Sequence, residues 1–92
     1  MYLEIVSPEA TLFAGEVVSV TVPGINGEFQ ILSNHAPIVS LLQNGNVRIQ
    51  GNVTVDEAFE SKFSKGSNGE TVLAISSGTI EMKDNKVIVL AD

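Results

Sequence analysis

The sequence predicts an all-β fold, a sandwich or barrel of many short strands, and three observations carry that prediction. Branched apolar residues dominate: twenty Val and Ile stand against thirteen Leu and Ala, and branched side chains fit a pleated surface better than a helix. Short apolar segments recur between turn signals and never run on to helical length. Asn-Gly, a pair suited to the positive φ angles of tight hairpin turns, occurs three times, at Asn26-Gly27, Asn44-Gly45 and Asn68-Gly69. A lone sheet of this size must cover its apolar face, so the strands imply a second layer or closure.

Taken in order, Tyr2 to Val6 reads as a strand ended by Ser7-Pro8. Thr11 to Phe13 ends at Ala14-Gly15, and Glu16 to Val22 ends at Pro23-Gly24. In that third segment Val18, Val20 and Val22 share one face and Val17, Ser19 and Thr21 the other, the period of a half-buried strand. Pro23 is expected to stop it, and Gly24 and Asn26-Gly27 to supply left-handed turns, before Phe29 to Leu32 starts the next strand. Pro37 restricts Ala36 to extended backbone ahead of Ile38 to Leu42. Further strands are expected at Val47 to Gln50, Val53 to Val55, Thr71 to Ser76, Thr79 to Met82 and Lys86 to Leu90. Between them, Phe59 and Phe63 fit a helix at four-residue spacing, but Val53, Val55, Phe59 and Phe63 also share one strand parity. The favoured reading is a long hairpin arm closed by Lys65-Gly66-Ser67-Asn68-Gly69. Residues 1–92 read as one domain, with no internal repeat.

Composition narrows the function. Five basic against eleven acidic residues give a formal charge of −6, which repels phosphate backbones and anionic headgroups, so nucleic acid is not an expected partner. Without cysteine there is neither a disulfide framework nor a thiolate metal site. No signal-peptide pattern opens the chain and no stretch approaches the roughly 20 apolar residues of a membrane helix, so a soluble, unexported protein without direct membrane insertion is expected.

Candidate chemistry centres on Val22 to Pro37, which holds the only histidine. His35 and Glu28 could meet across this corner, yet two ligands fall short of even a catalytic zinc. Ser33 and His35 point to opposite faces of an extended chain, and no G-x-S-x-G elbow occurs. Gly24-Ile25-Asn26-Gly27 is followed by a strand where phosphate-binding glycine loops require a helix. No catalytic residue, metal or cofactor is therefore expected. A small hydrolase using His35 and Glu28 and a free-standing ligand-binding sandwich remain rival readings; one Tyr, four Phe and no Trp leave the latter few aromatics.

Several motifs nevertheless stand in a telling order: Val6-Ser7-Pro8-Glu9, Phe13-Ala14-Gly15-Glu16-Val17, Pro23-Gly24 with Gly27-Glu28-Phe29, Asn34-His35-Ala36-Pro37, Ser76-Ser77-Gly78 and Val89-Leu90-Ala91-Asp92. In this combination the chain resembles the amino-terminal domain of the epsilon subunit of the rotary F-type ATP synthase. The resemblance implies a flattened two-sheet β-sandwich of about ten strands. It also implies a non-catalytic subunit of the central stalk, docked on the gamma subunit and on the polar loops of the c-ring, which helps couple proton translocation to ATP synthesis. That complex would sit peripherally at the cytoplasmic face of the bacterial inner membrane. By position, Glu28 matches the family's c-ring contact, and Ser7, His35 and Ser40 match positions facing gamma; Pro23, Gly24, Asn26, Gly27 and Pro37 fall at structural turns. The chain departs from the commonest pattern at Gln30 and Ser77, where glycine is usual, and in a longer Val53 to Thr71 region. The typical subunit continues past Leu-Ala-Asp into a helical hairpin associated with inhibition of hydrolysis and, in some bacteria, with ATP binding; neither role is expected of these 92 residues.

Overall fold

Alternating buried and exposed side chains build ten strands in the computed structural model, which describes residues 1–92. They are β1 (Tyr2–Val6), β2 (Thr11–Glu16), β3 (Ser19–Gly24), β4 (Gly27–Leu32), β5 (Ile38–Leu42), β6 (Gly45–Gln50), β7 (Phe63–Lys65), β8 (Thr71–Ile75), β9 (Gly78–Lys83) and β10 (Lys86–Ala91). The hydrogen-bonded order β2-β1-β10-β9-β5-β3-β6-β8-β7, with β4 on β3, is one ladder curled on itself. A single residue pair, Gly24 with Leu42, joins β3 to β5. That seam divides the ladder into two sheets, β2-β1-β10-β9-β5 and β4-β3-β6-β8-β7, which close face to face as an all-β sandwich.

The core lies between the sheets because residues paired across strands share a face. In the first sheet Ser40, Ile80, Val89, Ile5 and Phe13 form one inward row, and Ile38, Met82, Val87 and Leu3 another. Val20, Val22, Ile31, Val47 and Ile49 face them from the second sheet, all fully buried. Full burial of such a side chain contributes about 1.5 to 3 kcal/mol.

Four local expectations are corrected. The expected segments Thr11 to Phe13 and Glu16 to Val22 divide elsewhere: β2 runs on through Ala14-Gly15 to Glu16, and β3 starts at Ser19, with Val20 and Val22 buried but Val18 65% exposed. The chain turns at Val17-Val18, where Val17 N–H donates to Met1 O and Val18 N–H to Gln50 O. Asn44-Gly45 makes no hairpin, since β5 pairs with β9 and β6 with β3 and β8. Val53 to Val55 is irregular. In place of a long arm, Glu57–Lys62 forms a 3-10 turn, with Asp56 as its N-cap accepting from Ala58 N–H at 2.8 Å. Phe59 and Phe63, from this turn and the short strand after it, pack partly buried against the core.

One two-residue hairpin loop carries no Asn-Gly. Lys83 pairs with Lys86, leaving Asp84 and Asn85 as a two-residue loop at φ 52° and 59°. Positive φ at both central residues is the type I′ signature, and its twist matches that of the flanking strands.

Candidate functional site

Register fixes which side chains each end and face of the sandwich presents. One end collects Ser7 to Ala10, the Ile25-Asn26 turn, the Gln43-Asn44 corner and Ser76-Ser77; the other collects Glu16 to Val18, Ser33 to Pro37 and Asp84-Asn85. Glu28 therefore belongs to the first end and His35 to the second. Glu28 lies at the start of β4 and His35 beyond its end, the strand rises roughly 3.3 Å per residue, and the structure does not bring them together. No group of three or more His, Asp or Glu side chains converges.

Glu28 pairs with Pro23 on β3, and its carboxylate accepts from Arg48 Nη2 on β6, so the ion pair reaches across β3 on the outer face of the second sheet. Both side chains are more than a third exposed, and such a pair contributes about 1 kcal/mol or less. Arg48, the only arginine of the chain, was not singled out by the sequence; a basic residue in a strand has no local signature that names its partner twenty residues away.

Ser7 is a turn former. Its backbone N–H donates to Ala10 O at 2.8 Å, its hydroxyl donates to the same oxygen, and Ala10 N–H donates back to Oγ. Ser40 is half-buried in the inward row of β5, an edge strand, with its hydroxyl donating to Leu41 O at 3.3 Å. His35 is exposed, with Nδ1 2.7 Å from Ala36 O. The three do not touch: Ser7 and His35 lie at opposite ends of the first sheet, with Ser40 midway.

What spans the distance between them is the outer face of that sheet. Leu41, Thr79, Leu90 and Val6 form one outward row, and Val39, Glu81, Ile88 and Glu4 the next. Val39 is 74% exposed, Leu41 58% and Leu90 51%. The outward rows of the second sheet, Gln30-Thr21-Arg48 and Leu32-Ser19-Gln50, are mostly polar. The first outer face thus carries three of the exposed large apolar side chains, Val39 and Leu41 on the edge strand β5 and Leu90 on β10, against Leu32 alone in these rows of the second, and exposed apolar surface of this kind suits a docking surface.

Of the residues expected to turn the chain, Pro23 and Gly24 instead lie within β3, and Pro23 O accepts from Gln43 N–H at 2.8 Å. Proline lacks only the backbone N–H, so its carbonyl keeps this bond. Gly24 is there for space, not for positive φ: a Cβ would sit 2.7 Å from Phe29 Cε1 and 2.8 Å from Gly27 O. Asn26 occupies the Ile25-Asn26 loop, and only Gly27, at φ 121°, uses glycine's conformational freedom. Pro37 precedes β5. Gly24→Val and Gly27→Val are each expected to destabilise by about 1 to 3 kcal/mol, the first by overpacking and the second by backbone strain. Urea midpoints equal to wild type for both would show that the corner accepts side chains.

A two-sheet β-sandwich with loops gathered at its ends defines the class: a small all-β sandwich domain whose first sheet presents exposed apolar side chains. The sequence profile of the family "ATP synthase, Delta/Epsilon chain, beta-sandwich domain" matches residues 1–92, and the chain belongs to that family. It is 40% identical over 88 residues to the ATP synthase epsilon chain of Dichelobacter nodosus, covering 96% of this chain and 52% of that one. To the epsilon chain of Chlorobaculum tepidum it is 36% identical over 90 residues, covering 98% and 86%. The chain thus spans about half the length of the first relative and most of the second. Among solved structures, a chain of the central stalk and c-ring assembly of Tetrahymena thermophila mitochondrial ATP synthase has the same fold, with TM-score 0.73 at 13% identity, covering 99% of this chain and 62% of that one. A chain of the Euglena gracilis mitochondrial enzyme gives TM-score 0.72 at 18% identity, covering 97% and 48%.

Proposed function

We propose that this chain is a non-catalytic rotor module of an F-type ATP synthase, docked on the gamma subunit and the c-ring loops and helping to couple proton translocation to ATP synthesis. In a bacterium the assembly would stand peripherally at the cytoplasmic face of the inner membrane, and no helix of this chain is long and apolar enough to cross it. The observation that carries the reading is the exposed apolar side chains of Val39, Leu41 and Leu90 on one outer face, in a chain whose relatives are epsilon chains. The gamma subunit would cover this face, between the family positions Ser7 and His35, while the Glu28 end would meet the ring.

The hydrolase reading lacks support because Glu28 is engaged by Arg48 and lies at the far end of β4 from His35. The ligand-binding reading has surface grooves poor in aromatic side chains: Phe63 alone lines the one along Val53 to Val55 and Phe63 to Lys65, and none lines the one between Ser7 to Leu12 and Leu73 to Ile75.

The direct test mixes the purified chain with gamma subunit and with detergent-solubilised c-ring. Retention of the chain with both is expected, and retention with neither would overturn the proposal. Glu28→Lys is expected to weaken ring attachment while shifting stability by less than ~0.5 kcal/mol, since an exposed charge reversal matters across a contact and little within the fold. Undiminished retention on the ring would remove Glu28 from that contact.

A further inference from the structure

The loop from Ser33 to Pro37 crosses from β4 in the second sheet to β5 at the edge of the first, and every residue in it is exposed. Its own bonds are local: His35 N–H donates to Leu32 O at 3.2 Å, and the His35 ring lies against Ala36 O. One bond ties it to a different hairpin. Asn34 N–H donates to Asn85 Oδ1 at 2.8 Å, across fifty-one positions of sequence.

Backbone conformation marks the same place. Asn34, Asp84 and Asn85, at φ 63°, 52° and 59°, are the non-glycine residues with positive φ, and two of them, Asn34 and Asn85, are the partners in this bond. Glycine would satisfy the second position of a type I′ turn at lower steric cost than any residue with a Cβ. Asparagine is tolerated there, and it alone supplies a carboxamide to the neighbouring loop. We propose that Asn85 is a positioning residue: by accepting the Asn34 amide it holds the Asn34-His35-Ala36-Pro37 loop, and with it the entry of β5, in the conformation that docks on the gamma subunit. The inference rests on the proposed gamma contact. It adds to that contact a residue on another hairpin, which acts by reducing the ordering cost of an exposed loop at binding.

Asn85→Gly keeps the turn and removes the acceptor, whereas Asn85→Asp keeps an oxygen in its place. The expected result for the full chain titrated with gamma subunit by calorimetry is about tenfold weaker binding for Asn85→Gly, in line with the loss of one preorganising contact. Binding within about twofold of wild type is expected for Asn85→Asp, since it retains the acceptor. Amide exchange at Asn34 in the free chain should quicken in Asn85→Gly and not in Asn85→Asp, with the thermal midpoint unchanged in both. Unaltered Asn34 exchange in Asn85→Gly, or wild-type affinity despite faster exchange, would overturn the inference, as would equal weakening by both variants. If the wild-type chain fails to bind gamma, the proposed function falls, and the exchange measurement still judges the bond between the hairpins.

Discussion

Gly78→Ala is expected to destabilise the sandwich by about 3 kcal/mol or more, a penalty at the upper end of what overpacking costs. Gly78 opens β9 and is paired on both sides, with Ala91 of β10 and Leu42 of β5. A Cβ there would lie 2.2 Å from Leu90 O, 3.3 Å from Leu90 C and 3.4 Å from Ala91 Cα, all backbone atoms of a neighbouring strand. No rotamer change relieves that contact; either β9 or β10 must leave the ladder. Gly66 offers the contrast, since its Cβ would meet the side chain of Glu70, which has other rotamers at the cost of the bond it accepts from Asn68 N–H. For a chain of this size each kcal/mol shifts the thermal midpoint by about 4 to 8 °C, so a fall of about 12 °C or more is expected. A midpoint within about 4 °C of wild type, equivalent to less than ~1 kcal/mol, would mean that the pairing of β9 with β10 at Gly78 is wrong.

That glycine also marks the limit of what could be read from the sequence. Ser76-Ser77-Gly78 was recognisable as part of a family pattern, but the reason for the glycine lies in Leu90, brought alongside by folding. Where a signal is local, the reading succeeded. The alternation in β1, β8 and β10 follows from neighbouring residues alone, and those strands start where expected. Where the outcome depends on partners distant in sequence, the reading failed. Asn44-Gly45 has the composition of a hairpin turn, yet β5 and β6 each find better partners elsewhere and the pair becomes a corner. Asp84-Asn85 makes a two-residue hairpin turn without glycine, because Asn and Asp also enter the left-handed region. In Asp56 to Phe63 the strand parity and helical spacing were both present; the Asp56 cap and the packing of Phe59 on the core decided for a 3-10 turn.

The site was legible in a different proportion. Glu28, Ser7, His35 and Ser40 could be marked by resemblance, but their mutual arrangement could not, and the fold distributes them over two ends and a middle. The exposed apolar residues between them could not be told from core in the sequence, since Val39, Leu41 and Leu90 are indistinguishable by type from the buried Leu42, Ile80 and Val89 beside them. Only register assigns the first three outward.

From that assignment comes the second large effect. Leu41→Glu is expected to reduce affinity for the gamma subunit by about 30-fold or more, the consequence of losing roughly 2 kcal/mol when an apolar anchor at the centre of an interface becomes charged. Leu41 is 58% exposed in the free chain, so its own stability should change by less than ~0.5 kcal/mol. The added negative charge is controlled by Gln30→Glu, which places the same charge on the polar outer face of the second sheet and should leave affinity within about twofold if docking is local to the first sheet. Val39→Glu, one row along on the same strand and more exposed, should repeat the loss in Leu41→Glu. Binding at wild-type strength in both Leu41→Glu and Val39→Glu would show that gamma does not cover this face. Equal loss in Gln30→Glu would show that the chain's net charge, not the apolar row, governs the encounter.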